Sequence, residues 1–250
     1  MRARAKPRTE VYQPLKVRQV AVERVLFVVP GAEYSPGSLL SRFVRGSDCK
    51  RDRVRVQLND EGCWSLQKDW GLDVWASLFT EIYRVGGRVN GLSVALDDAY
   101  GVLDITRIRQ YMGRIENRDV NQVRCLFSVM SDCYPQRTIS GDRQADGVYF
   151  GDSKSLVSVG IVKMYLRAMK KNNDSHWLRV VVNLKGSTAD KTSRKLRSSS
   201  IGETTAGILL RYLKFVEIVD DSNYGRWPLA PWWSNFLGSV KEVRVTGGFG

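Results

Sequence analysis

Apolar and polar residues alternate over several short stretches of the chain, and each stretch predicts a strand. Residues 22–30 (VERVLFVVP) form the first, which stops at Pro30 and Gly31. Residues 53–58 (RVRVQL) alternate strictly and predict a strand with one basic face. Residues 64–68 read as its hairpin partner across a turn at 59–62. Further strands are expected at 88–97, 123–130, 147–150, 161–168, 178–184 and 214–219. Elsewhere the period changes. Leu72, Trp75, Leu78, Phe79, Ile82 and Tyr83 have helical spacing, and Gly86 and Gly87 stop that helix. Asp104 is placed to cap a helix over 105–112. Residues 189–196 and 203–212 predict helices on either side of the Ser198–Ser200 run, and 232–237 a short apolar helix after Pro231. Strands and helices mix without strict βαβ alternation. The expected class is α+β: a largely antiparallel, curved sheet flanked by helices and arranged as two related halves. Residues 1–20 read as a basic flexible arm. Residues 21–250 read as one domain, helical from about residue 189.

Composition narrows the function. The 250 residues are 43% hydrophobic, enough for a sizeable core. No run approaches the roughly 18 apolar residues of a membrane span, so no membrane partner is expected. The basic N-terminus lacks a following apolar stretch and is not expected to be a secretory signal. The formal net charge of +13 favours a polyanionic partner, DNA above all. Cys49, Cys63, Cys125 and Cys133 have no CxxC spacing, and there is one histidine, so a structural zinc site is not expected. Free thiols fit a reducing compartment, the cytoplasm. Walker A, GxGxxG and GxSxG patterns are absent, which removes motif support for ATPase, dinucleotide and hydrolase readings.

Four groups of residues carry candidate chemistry. Tyr165 lies among Lys163, Arg167, Lys170 and Lys171. A phenol beside cations can attack a phosphodiester and store its energy in a phosphotyrosyl link. A strand tyrosine is also an ordinary packing residue. Lys154 and Ser155 lie in the preceding turn and suit phosphate contacts. Asp97 and Asp98 end a strand, where paired carboxylates suit Mg²⁺ or Mn²⁺; the same run is good turn chemistry. Lys191, Arg194, Lys195 and Arg197 cluster with hydroxyls, either as phosphate contacts or as a solvated helix face. His176 is a candidate ligand or base, or a surface residue.

Six segments in order resemble the replication initiation factor family (Rep_trans type) of rolling-circle plasmids and filamentous phages. They are VERVLFVVP, VQLNDEGCWSLQ, VNGLSVALDDAYGVLDI, VYFGDSKS with KMYLRA, WLRVVVNLKG and GRWPLAPWWSNFLG. The resemblance runs from about residue 22 to 246, and its last segment is the most specific. It implies an origin-binding protein that nicks one DNA strand, with Tyr165 as nucleophile, Asp97 in the acidic turn, and action as a homodimer. The chain departs from the pattern where the family has acids: Gln67, Ser93 and Val181 stand there. A divalent ion needs several oxygen ligands, some anionic, so metal affinity should fall. The alternative is a DNA-binding regulator on the same scaffold with weakened or absent nicking.

Overall fold

The described residues form eight strands and seven helices in a computed structural model: β1 (Val20–Pro30), α1 (Leu39–Val44), β2 (Arg53–Leu58), α2 (Asp60–Trp70), α3 (Val74–Arg84), β3 (Arg88–Asp97), α4 (Ile105–Met112), β4 (Val123–Phe127), β5 (Gly147–Phe150), β6 (Val157–Tyr165), β7 (His176–Lys185), α5 (Gly186–Lys195), α6 (Ile201–Tyr212), β8 (Leu213–Glu217) and α7 (Pro231–Lys241). Described are residues 20–31, 34, 37–44, 52–98, 101–112, 123–127, 147–151, 154–165, 176–219, 223 and 226–241. For residues 44, 110–112, 123–127, 165, 176 and 239–241 only the backbone is described. The arm expected before Val20, Arg167 and the strand ends expected at 128–130 and 166–168 lie outside the described residues.

Six strands build one antiparallel sheet in the order β2-β1-β3-β7-β6-β5, and β4 pairs with β8 in a second. The expected α+β class and antiparallel sheet are what the chain forms. Each half of the chain supplies three strands of the main sheet, and the halves meet where β3 pairs with β7. The order within them differs: β1 lies between β2 and β3, whereas β5, β6 and β7 follow one another as a meander.

One sheet face is the core. Val25, Phe27, Leu92, Val94, Val180 and Ile161 are buried on it, against Trp75, Leu78 and Phe79 of α3 and Phe215 of β8. Phe215 meets Phe150 at 6.2 Å and Trp233 at 5.1 Å, both edge to face. This explains the apolar Trp233 and Phe236 of α7, which close the core at the C-terminal end.

One expectation fails. Residues 64–68 are not a hairpin strand but the middle of α2. Asn59 Oδ1 accepts the Gly62 N–H at 3.0 Å and caps the helix. Cys63, Leu66 and Gln67 are then buried at spacings of three and four, the helical period. Five residues were too short a window to separate the two periods.

Side chains complete the sheet where neighbouring strands end. β2 stops opposite Val25, so the outer edge of β1 is bare at Val22. The Gln67 amide fills it, accepting from Val22 N at 3.0 Å and donating to Val22 O at 3.1 Å. β7 stops opposite Gly91, and Asp190 of α5 accepts the Val89 N–H at 3.2 Å. In both places the helix that follows the departing strand returns one polar side chain to the exposed backbone.

Gly87 has no room for a side chain. A Cβ there would lie 2.7 Å from Ile82 O and 2.8 Å from Val28 O, both backbone atoms. Gly87→Ala should therefore destabilise the fold by about 1–3 kcal/mol, read as a lower Tm.

Candidate active site

Directly opposed residues in an antiparallel pair point to the same side. Ser93 opposes Asn183, Ala95 opposes Val181, and Asp97 opposes Arg179. These six positions lie on the sheet face turned away from the core. Ser93 and Val181, where the family pattern carries acids, thus share a face with Asp97. Ser93 Oγ donates to Asn183 Oδ1 at 2.7 Å, and Val181 offers only methyl groups. Gln67 is not on this face; both ends of its amide are engaged by the β1 backbone.

Asp97 is held from three directions. Arg179 donates from Nε at 2.6 Å to Oδ1 and from Nη2 at 2.8 Å to Oδ2, and Trp177 Nε1 donates to Oδ1 at 2.8 Å. The second arm of the guanidinium, Nη1, reaches Glu23 Oε1 at 2.6 Å. Glu23 is placed by a register break between Val22 and Arg24. Asp97 is almost fully buried, while Arg179 and Glu23 keep about a fifth of their side chains exposed. Burial alone would lower the Arg179 pKa, but Asp97 and Glu23 outweigh it and raise it. Arg179 stays charged.

Burial raises the Glu23 carboxyl above its ordinary 4.5, against the pull of Arg179. The folded state therefore keeps this proton to higher pH than the unfolded chain does. The resulting stability is full below about pH 4.5 and declines as pH rises through the folded value. A Glu23→Gln variant should lose that decline, which a Tm series from pH 4 upward would show as a flatter profile.

A divalent ion does not fit these residues as they stand. Both Asp97 oxygens face Arg179, and the Asp98 Oδ2 accepts the Leu103 N–H at 2.6 Å, which organises the loop after β3. Among the described residues, no group of three or more His, Cys, Asp and Glu side chains could hold a metal.

The backbone of Tyr165 ends β6 opposite His176, one step past the Met164–Trp177 pair. Tyr165, His176, Trp177 and Asp97 therefore lie at one end of the sheet, with Trp177 at a position on the face of Asp97 and Arg179, and Tyr165 and His176 at positions on the opposite face. Two other tyrosines have raised pKa values. Burial raises the Tyr149 pKa, and its ring covers Gly160, where a Cβ would come within 3.0 Å of it. Burial pushes Tyr83 up to about 12, and its hydroxyl is bonded to Asp190 and Ser193.

The expected phosphate contacts divide. Lys163, opposite Leu178, belongs to the Tyr165 end. Lys154 and Ser155 precede β6 at the other end, where Lys185 N bonds Leu156 O at 2.9 Å. The nine residues of β6 separate the two ends by about 26 Å at 3.3 Å per residue. Lys191, Arg194, Lys195 and Arg197 are all exposed on or just beyond α5, with Thr192, Ser193 and Leu196 turned inward. Arg194 is partly structural: it bonds Asp190 at 3.0 Å and stacks 4.0 Å over Tyr83. Arg53 and Arg55 of β2 and Arg88 of β3 add exposed cations on the exposed sheet face, as the alternation of β2 predicts.

Sequence reading missed Arg179 and Trp177 as partners of Asp97, and Glu23 as the second carboxylate on Arg179. A signal was present in Trp177-Leu178-Arg179, whose first and third residues share a strand face. Nothing in the sequence marked Glu23, because its position depends on a register break.

The α+β fold of this chain is shared with a solved replication initiator. It is similar to the rolling circle replication initiator protein from Geobacillus stearothermophilus, with a TM-score of 0.60 and 20% identity over 91% of this chain and 98% of that one. Residues 88–247, more than half of the chain, match the family described as replication initiation factor. The chain belongs to that family. The match begins at β3, so β1, β2 and α2 with Gln67 precede it. No curated protein matches the chain.

Proposed function

We propose that this chain initiates rolling-circle replication by binding origin DNA and nicking one strand through Tyr165. The observation that carries the reading is the register: Tyr165 and His176 end β6 and β7 one strand step beyond the Met164–Trp177 pair, which shares the face of Asp97 and Arg179. In the reaction the phenol oxygen bonds to phosphorus and the P–O3′ bond breaks. The phenolic proton goes, through solvent or a neighbouring base, to the departing 3′ oxygen. The product is a 5′-phosphotyrosyl link with a free 3′-hydroxyl. The same family-based reading places the chain in a bacterial cytoplasm, acting on DNA as a homodimer.

A second reading, an origin-binding regulator with little or no nicking, is favoured by one observation: the carboxylate expected to hold Mg²⁺ or Mn²⁺ is engaged by Arg179. One assay separates the two. Supercoiled plasmid carrying the cognate origin is incubated with the protein, with Mn²⁺ and separately with EDTA. Relaxed or open-circular product with a covalent protein–DNA adduct supports nicking. A specific footprint without adduct in either condition supports the regulator.

Both readings require salt-sensitive DNA binding. Replacing Lys191, Lys195 and Arg197 together by alanine should weaken binding on all sequences alike. It should also flatten the slope of log K against log[salt] by about 0.7–0.9 for each phosphate that is no longer neutralised. Anisotropy titrations at several salt concentrations measure this.

A further inference from the structure

The Asp97 carboxylate is engaged by a cation that belongs to the chain. We propose that Arg179 replaces the divalent ion of this site as its resident positive charge, so that Asp97 and Glu23 do not bind Mg²⁺ or Mn²⁺ in the folded protein.

Three observations support this. The guanidinium binds both oxygens of Asp97 and one of Glu23, so its charge already lies between the two acids of this sheet face. A metal would have to displace a bidentate arginine, the strongest geometry for a carboxylate pair. Trp177 Nε1 supplies a further donor to Asp97 Oδ1, an interaction that a metal bound to that oxygen would compete with. Finally, among the described residues, the neighbouring positions on the face supply no replacement acid. Ser93 bonds Asn183, Ala95 and Val181 are apolar, and Asp98 is turned to Leu103. A hard cation with one or two carboxylates and no further anionic oxygens competes poorly with its own hydration shell.

Arg179 also has donors to spare. A guanidinium carries five N–H groups, and three are used on Asp97 and Glu23. The cluster as a whole is a formal −1, two carboxylates against one guanidinium. The Arg179 charge thus holds the two acids together and does not attract a phosphate. In the proposed nicking reaction, EDTA would then leave the rate at the Asp97 site unchanged. That consequence rests on the nicking reading; the metal-binding claim does not, and it is measured without DNA.

The Trp177 indole N–H is the reporter, because Mn²⁺ on Asp97 would lie within a few ångström of it and erase its NMR signal. Trp177→Phe assigns the resonance. In the wild-type chain an equimolar to several-fold excess of Mn²⁺ should leave this signal intact. Arg179→Gln, which removes the charge and keeps a polar side chain, should make the signal vanish under the same addition. Loss of the signal in the wild-type chain would overturn the proposal. A folded Arg179→Gln protein whose signal persists would overturn the claim that Arg179 is what keeps the ion out. Where Arg179→Gln does not fold, the wild-type spectrum decides whether Asp97 binds the ion.

Discussion

A Tyr165→Phe protein is expected to form no covalent adduct with origin DNA while binding that DNA with unchanged affinity. The substitution removes one oxygen and keeps the ring. Loss of the nucleophile should reduce nicking by on the order of 10⁴-fold or more, as for other catalytic groups that act as a unit. Parallel changes at Tyr149 and Tyr83 serve as controls. Tyr149 has its pKa raised by burial and sits on the edge strand, while Tyr83 is bonded to Asp190 and Ser193 between α3 and α5. Tyr149→Phe should nick like the parent chain. Tyr83→Phe should lower stability, because Asp190 and Ser193 lose a partner, and still form adduct at a temperature where it is folded. Adducts are read as DNA-linked protein resistant to denaturant. Binding is read separately by anisotropy, so a folding defect is not mistaken for a chemical one.

Removing the Arg179 guanidinium should have the largest effect on stability. Arg179→Leu leaves Asp97 buried with only the Trp177 indole, and Glu23 facing it without a counter-charge. Breaking one partner of a buried pair costs several kcal/mol, and the partial exposure of Arg179 and Glu23 moderates this to about 2–4 kcal/mol. In a chain of this length that corresponds to a Tm lower by roughly 5–15 °C. Asp97→Asn combined with Arg179→Leu should recover part of the loss, because the most buried carboxylate is then neutral and only the partly exposed Glu23 lacks its counter-charge. Equal losses in the single and double variants would mean that the ion pair itself contributes little and that Arg179 acts through packing. A double-mutant cycle in urea gives the coupling directly.

Much of the fold was legible because its elements announce themselves locally. Strict alternation in β2, the helical spacing of Trp75, Leu78, Phe79 and Ile82, and Asp104 ahead of α4 each follow from one short window. Asp104 Oδ1 does accept from Thr106 N and Arg107 N. The helix after β2 was hidden because its cap, Asn59, also suits a turn, and because the residues after it are few. The site was legible in part. Asp97, Ser93 and Val181 fall on one face because strand alternation and pairing place them there. The state of Asp97 was not legible, since it depends on Arg179, Trp177 and Glu23, which are distant in sequence and meet only through the pairing of β1, β3 and β7. Gln67 shows the same limit from the other side. As a position in a motif it suggests a metal ligand, and in the fold its amide continues the hydrogen bonding of β1 past the end of β2.

The most direct test of the initiator reading is to identify the residue that carries DNA after reaction with a single-stranded origin oligonucleotide. The protein is incubated with the oligonucleotide, digested with protease and nuclease, and its peptides are weighed by mass spectrometry. The expected result is a nucleotide-bearing peptide that contains Tyr165, attached through a 5′ phosphate. A nucleotide on another tyrosine, or intact DNA and unmodified peptides with both Mn²⁺ and EDTA, would contradict it.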